Sequence, residues 1–277
     1  MGLRINTNVT SLAAQRTLGN NNADKAKTLG KLSSGTRIVR SADDAAGLAI
    51  SEKLKAQVRS TNQAERNAND GISMIQTAEG GLNEISNILI RLRELSIQSA
   101  SDTVGDTERK FTDLEYQNLK QEVERISQVT EFNGKKLLNG AGDSYDFQIG
   151  INNDEFQDRI SFDTQLLNSS IDNLGVAGLS VSSKESAQEG LASIDAAIQT
   201  VSGQRAELGA KQNRLTSTIQ NLQVSSENLS AANSRIRDTD YAAETAKKTK
   251  LDILTNAGTS VLAQSNAQGQ AALNLIG

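Results

Sequence analysis

The chain has 277 residues, a formal net charge of −4 and only 3% aromatic residues, with no Trp, Cys, His or Pro. The missing Cys and His exclude disulfides, Cys/His zinc sites, His-based triads and thiol nucleophiles, and the acidic balance argues against a nucleic-acid partner. With so few rings, Leu, Ile, Val and Ala must build the core, which suits thin helical bundles, and the lack of Pro permits very long helices.

No apolar run approaches the length of a membrane span, so no membrane insertion is expected. The start, MGLRINTNVTS, has no apolar h-region, so no cleaved secretory signal is expected.

Residues 1–33 read as a weakly amphipathic arm. Ile5, Val9 and Leu12 fall at i, i+4 and i+7, and Leu29 and Leu32 repeat the helical spacing. Gly19-Asn20-Asn21-Asn22 between them is poor helix material. Alone, such an arm should be largely disordered in water. Ser33, Ser34 and Gly35 then break the pattern, and Thr36–Arg40 reads as a short extended link. Ser41 is placed to cap the next helix, with Asp43 and Asp44 in its first turn.

Residues 44–100 read as one helix of roughly 85 Å at ~1.5 Å per residue. Ala68, Ile72, Ile75, Ala78, Leu82, Ile85, Leu89 and Leu92 alternate spacings of three and four, a coiled-coil seam. Gly80-Gly81 inside it would be explained by a close helix–helix approach. After the loop SDTVGD, a shorter helix at about 108–129 carries Tyr116, Leu119, Val123 and Ile126 on one face. Phe132-Asn133-Gly134 ends it.

About 135–167 the period changes to two. Tyr145, Phe147, Ile149 and Ile151, then Ile160 and Phe162, alternate with polar residues, which predicts one or two β-hairpins. Tyr145, Phe147, Phe156 and Phe162 suggest a small local core there. Residues 168–183 read as a loop-rich crossover. From Ala187 to Ile236 the seam keeps a strict four–three alternation, interrupted by the polar residues Arg205, Gln212, Ser226 and Asn233, which tend to fix register. The 44–100 helix has the length to partner it. In the last segment Leu254, Ala257, Val261, Ala271 and Leu275 continue the pattern, softened by Gln264 and Gln268.

The expected fold is therefore mainly α: a long antiparallel helical bundle or coiled coil with a small hairpin region and paired terminal arms. The expected domains are an arm domain of 1–40 with 238–277 and a helical rod of 41–237. Apolar residues at both chain ends would be a liability in a monomer, which points to pairing of the arms with each other and with neighbouring copies.

Chemical sites are weak. Gly140-Ala141-Gly142 precedes a strand and so does not fit a phosphate loop. Asn152-Asn153-Asp154-Glu155 lacks EF-hand spacing and reads as a solvated turn. Asp43-Asp44 fits dipole compensation better than acid–base work. No catalytic, cofactor-binding or metal-ligating residue is expected, and an enzyme is the least favoured class.

Five segments carry a resemblance. LSSGTRI followed by SADDAAGLAIS, LNEISNILIRLRELSIQSAS at 82–101, ERISQVTEFNGKKLLNG at 124–140, NLSAANSRIRDTDYAA at 228–243 and AQSNAQGQAALNLI at 263–276 resemble, in order, the signatures of the bacterial flagellins. The resemblance implies a short form without the variable outer domains, secreted and working in the extracellular flagellar filament as a homopolymer. It implies arms that fold during assembly and a subunit exported unfolded through the type III route. It also implies an export chaperone, the export machine, the filament cap and hook-junction proteins as partners. The implied subunit-packing residues are Ile5, Val9, Leu12, Leu29, Leu32, Leu254, Ala257, Val261 and Leu275. Arg91, Leu95 and Glu115 match the segment that packs between protofilaments and that touches a vertebrate Toll-like receptor in some family members. The alternatives are a junction or minor filament protein of the same family, and a secreted coiled-coil adhesin whose arms pair within one monomer.

Overall fold

Five helices carry most of the chain in the computed structural model, which describes residues 7–273, with side chains to 267. They are α1 (Val9–Ser34), α2 (Ala45–Ser99), α3 (Asp106–Val129), α4 (Lys184–Arg237) and α5 (Tyr241–Leu273). Four short strands lie between α3 and α4: β1 (Glu131–Phe132), β2 (Lys135–Lys136), β3 (Ser144–Gln148) and β4 (Arg159–Asp163). The chain divides into two units, residues 58–227 and residues 1–57 with 228–277. The expected arm residues Ile5 and Leu275 lie outside the described residues.

Residues 58–227 hold the hydrophobic core. Ala68, Ile75, Ala78, Leu82, Ile85, Leu89 and Leu92 of α2 are fully buried, as are Tyr116 and Val123 of α3 and Ala187, Ile194, Val201 and Leu215 of α4. These are the positions of the sequence seams, and burying them removes about 1.5–3 kcal/mol of unfavourable exposure per large side chain. Polar bonds fix the antiparallel register of α2 against α4. Arg93 donates to Asp195 at 2.6 Å, Gln223 to Glu65 at 2.8 Å and Ser226 to Asn62 at 2.8 Å.

The Gly80-Gly81 pair has a different cause from the expected helix approach. A Cβ on Gly81 would lie 2.7 Å from Leu138 Cδ1 and 2.8 Å from Thr130 Oγ1, while Gly80 faces open space. The segment leaving α3, and no helix, needs the room. The hairpin region also starts earlier than expected. β1 and β2 pair antiparallel around Asn133-Gly134, both with positive φ (50° and 75°), the geometry that favours Asn-Gly.

β3 and β4 pair with Tyr145 opposite Phe162 and Phe147 opposite Ile160, so the alternating residues share one face. Phe162 and Ile160 are buried, but Phe156 is 83% exposed at the connecting loop and adds nothing to the expected local core. Its loop is bent outward by hydrogen bonds among Asn152, Asp154 and Asp158. The crossover has no regular structure, yet α3 holds it. Lys120 Nζ donates to the carbonyls of Ala177 and Leu179, and Asp113 accepts from Val181 N and Ser180 Oγ at 2.9 Å.

In the other unit, α1 and α5 lie side by side. Tyr241 Oη donates to Leu32 O near one end, and Asn8 Nδ2 donates to Ser265 O at the other, so they run antiparallel. Gly19-Asn20-Asn21-Asn22 does not interrupt α1. Packing against α5 outweighs the weak propensity of four residues.

Candidate assembly surface

The segment LSSGTRI followed by SADDAAGLAIS builds a joint. Gly35 ends α1 in the left-handed region at φ 69°, where a side chain would cost of order 1 kcal/mol. The chain then pairs with the junction of α4 and α5. Thr36 bridges Asp238, Arg37 N donates to Arg237 O at 2.6 Å, and Thr239 N donates to Gly35 O at 3.0 Å. The Arg37 guanidinium also donates to Ile236 O at 2.8 Å, placing a cation on the last carbonyls of α4. Ile38 is buried.

The cap of α2 is Asp44, whose carboxylate accepts from Gly47 N at 2.8 Å, and Ser41 lies outside that role. Asp43 instead ties the preceding turn by accepting from Val39 N and Arg40 N, and these bonds, led by that from Arg40, hold its carboxyl below the ordinary range. Gly47 leaves the space that Asp44 and Ile38 fill. From the other side, Asp240 caps α5 by accepting from Ala242 N and Ala243 N, and Asn233 accepts from Ser51 Oγ at 2.8 Å. Two motifs far apart in sequence thus complete each other. Arg37 and Asp240 were not singled out from the sequence; the Asp before an Ala-rich helical run was the available signal.

The seam between α1 and α5 is small and polar. Along α5 the residues turned inward are Glu244, Lys248, Leu251, Thr255, Gly258, Leu262 and Ser265, of which Leu251 and Ser265 are buried. Along α1, Ser11 and Thr28 are buried. Lys25 and Asp252 form a 2.6 Å ion pair across it, with Lys248 at 3.4 Å on the other oxygen. Thr10 and Ser265 hydroxyls lie 2.9 Å apart, and Ser11 donates to Asn266 at 2.8 Å.

The apolar arm residues mostly point elsewhere. Val9, Leu12 and Leu29 are 64, 56 and 42% exposed, and Leu254 and Val261 are 41 and 56% exposed. Ala257 is exposed too, and Leu32 is half-buried. The unit therefore carries open apolar stripes on both arms, a surface suited to helix partners from outside.

On residues 58–227, Arg91 lies between Glu94 and Glu115, both at 2.9 Å, and these bonds raise its pKa, with Glu94 the larger cause. All three are exposed. Leu95 is only 2% exposed, so it sits in the core and does not share their surface. Its place three residues after Leu92 on the same helical seam directs it inward.

Among the described residues no group of His, Cys, Asp and Glu could hold a metal ion, and no helix is long and apolar enough to cross a membrane. An open cleft of about 510 Å³ lies beside the β3–β4 loop, lined by residues such as Thr61, Ile149, Arg214 and Thr218.

Residues 5–143 match the bacterial flagellin N-terminal helical region, and residues 191–276 match the C-terminal helical region. A flagellin of Halalkalibacterium halodurans is 45% identical over 272 residues, covering 98% of this chain and 99% of the relative. A flagellar filament 30.7 kDa core protein of Treponema maltophilum is 43% identical over 287 residues, again covering 98% and 99%. The crystal structure of Bacillus cereus flagellin is 30% identical, with a TM-score of 0.50 over 57% of this chain and 88% of that one. Both helical regions are present and only residues 144–190 separate them, so the chain belongs to the bacterial flagellin family in a short form without outer domains.

Proposed function

We propose that this chain is a structural subunit of a bacterial flagellar filament, and that its arms complete their packing only between copies. The observation that carries the reading is the arm pair: polar where α1 meets α5, apolar where both face out. A relative named as a filament core protein, similar along its whole length, supports it. The arm domain (1–40 with 238–277) forms the inner core of the filament, and residues 41–237 form a helical rod domain. Ordering the arms costs about 1–2 kcal/mol per residue of backbone entropy. Burial against neighbouring copies supplies what the monomer lacks. A contact that repeats head to tail without closing then gives a helical polymer.

The protein acts outside the cell, reaching its place unfolded through the flagellar export machine with an export chaperone, and it meets the cap and hook-junction proteins at the filament ends. The family's composition of motifs is structural, and no catalytic role is assigned. The exposed Arg91–Glu115 pair is the candidate contact between protofilaments, and in a vertebrate host it is the candidate contact for a Toll-like receptor.

Deleting residues 1–33 or 242–277 tests the reading. The truncated chain should remain soluble, helical and monomeric, while the full chain polymerises on seeding. Filaments grown from the truncated chain would overturn it.

A further inference from the structure

The cleft of about 510 Å³ beside the β3–β4 loop lies wholly within residues 58–227, and α2 and α4 supply its other walls. Along α4, Arg214, Ser217, Asn221 and Ser225 follow at steps of three, four and four, so one stripe of the helix lines the space. Thr61 of α2 adds a further hydroxyl. Among the described residues, none of these five side chains has a hydrogen-bond or ion-pair partner. Neighbouring hydroxyls of α4 behave differently: Thr216 and Thr218 donate to the carbonyls of Gln212 and Arg214 at 2.9 Å. Thr61 is the sharpest case, because it is only 3% exposed. A polar group so enclosed is ordinarily paired, and the cleft is the space left for its partner.

The charge in the cleft is also unspent. Arg214 is exposed and unpaired among the described residues. Asp158, the acid on the lining, already takes Asn152 N and Asp154 N on its two oxygens. Ile149, Ile151 and Leu222 supply an aliphatic patch. A few convergent polar groups over an apolar wall are the composition of a small-ligand site. The ligand that suits this one carries several hydroxyls, a C–H face and one carboxylate.

We infer that the cleft binds a sugar acid of the hexuronic class. Its carboxylate meets the Arg214 guanidinium, the charge-assisted bond of the site. Its hydroxyls meet Thr61, Ser217, Asn221 and Ser225, groups that each donate and accept as sugar hydroxyls do. Its C–H face lies on the aliphatic patch. The cleft is open, so binding is weak, with a dissociation constant of about 1 mM. No step of the filament reading uses the cleft, so either can fail alone.

The test uses the isotope-labelled full-length chain before seeding, with sodium glucuronate as the probe and amide chemical shifts as the readout. Saturable shifts should centre on 149–158 and 214–225. Glucose, which lacks the carboxylate, and acetate, which lacks the hydroxyls, should each bind about tenfold more weakly. Arg214→Gln should lower glucuronate binding to the level of glucose and leave glucose unchanged. Thr61→Val, which keeps the side-chain shape, should weaken glucuronate and glucose alike, and circular dichroism should show both variants folded. The absence of saturable shifts up to about 50 mM glucuronate would overturn the site. So would acetate binding as tightly as glucuronate, or both variants binding like the parent.

Discussion

One buried carboxylate shapes the loop between β3 and β4. Asp158 is 6% exposed, and its two oxygens accept from Asn152 N at 3.3 Å and Asp154 N at 3.0 Å. Its carbonyl takes Ile149 N at 2.8 Å and Gly150 N at 3.0 Å. A Cβ on Gly150 would collide with the same carboxylate, so the glycine and the aspartate are required together. Asp158→Ala strands two N–H donors, at a cost of about 1–3 kcal/mol. Urea unfolding of the full-length chain should show that loss, with Asp158→Asn between variant and parent. A loss below about 0.5 kcal/mol would mean that the loop holds without it. The sequence drew attention to Asn152-Asn153-Asp154-Glu155 as a turn and passed over Asp158. Composition marks a polar loop, but which acid turns inward depends on the hairpin register, and that is fixed by residues on the far strand.

The element that best separates what sequence can and cannot reveal is α5. Its apolar residues Leu254, Ala257 and Val261 follow a helical seam, and periodicity alone assigns such a seam to the nearest partner. The surface that meets α1 is the neighbouring stripe through Lys248, Leu251, Thr255 and Ser265, which is too polar to announce itself. The opposite holds in α4, where the strict alternation from Ala187 onward was legible because the buried partner lies in the same chain. The two-residue strands β1 and β2 are too short to show a period of two, so only Asn133-Gly134 could have marked them. The polar seam makes α1–α5 pairing sensitive to acid. The hydrogen bond from Lys25 holds the Asp252 carboxyl below its ordinary range, against the opposing cost of burial, and the charges of Lys25 and Lys248 add to it. Unfolded Asp takes a proton near pH 3.9. The folded group resists until lower pH, so its contribution is complete above about pH 4 and lost as pH falls through the folded value. Hydrogen-exchange protection factors in α1 should drop in that window. Asp252→Asn should weaken them already at pH 7 and remove this site's share of the acid response. Unchanged protection in the Asn variant would show that the ion pair does not hold the arms.

At the scale of the whole molecule, stability is unequally shared. The hydrophobic core cluster lies entirely within residues 58–227. Among the described residues of the other unit, the buried apolar side chains are Ile38 and Leu251. Helices of 26 and 33 residues, α1 and α5, are thus carried by little buried apolar surface, and long helices without such burial are marginal in water. Opening free energy should differ between the units, because local stability follows local burial. In a dilute monomer, amides of α1 and α5 should exchange with protection far below those of α2 from Ala68 to Leu95. Heating followed by circular dichroism should remove helix in two steps, with the arms first. In the assembled polymer the arm amides should approach the protection of the core, since the open stripes then have partners. If α1 and α5 of the solitary chain were as protected as α2, the polar seam would be sufficient by itself. The apolar stripes would then be surplus to folding, and assembly could not be what orders the arms.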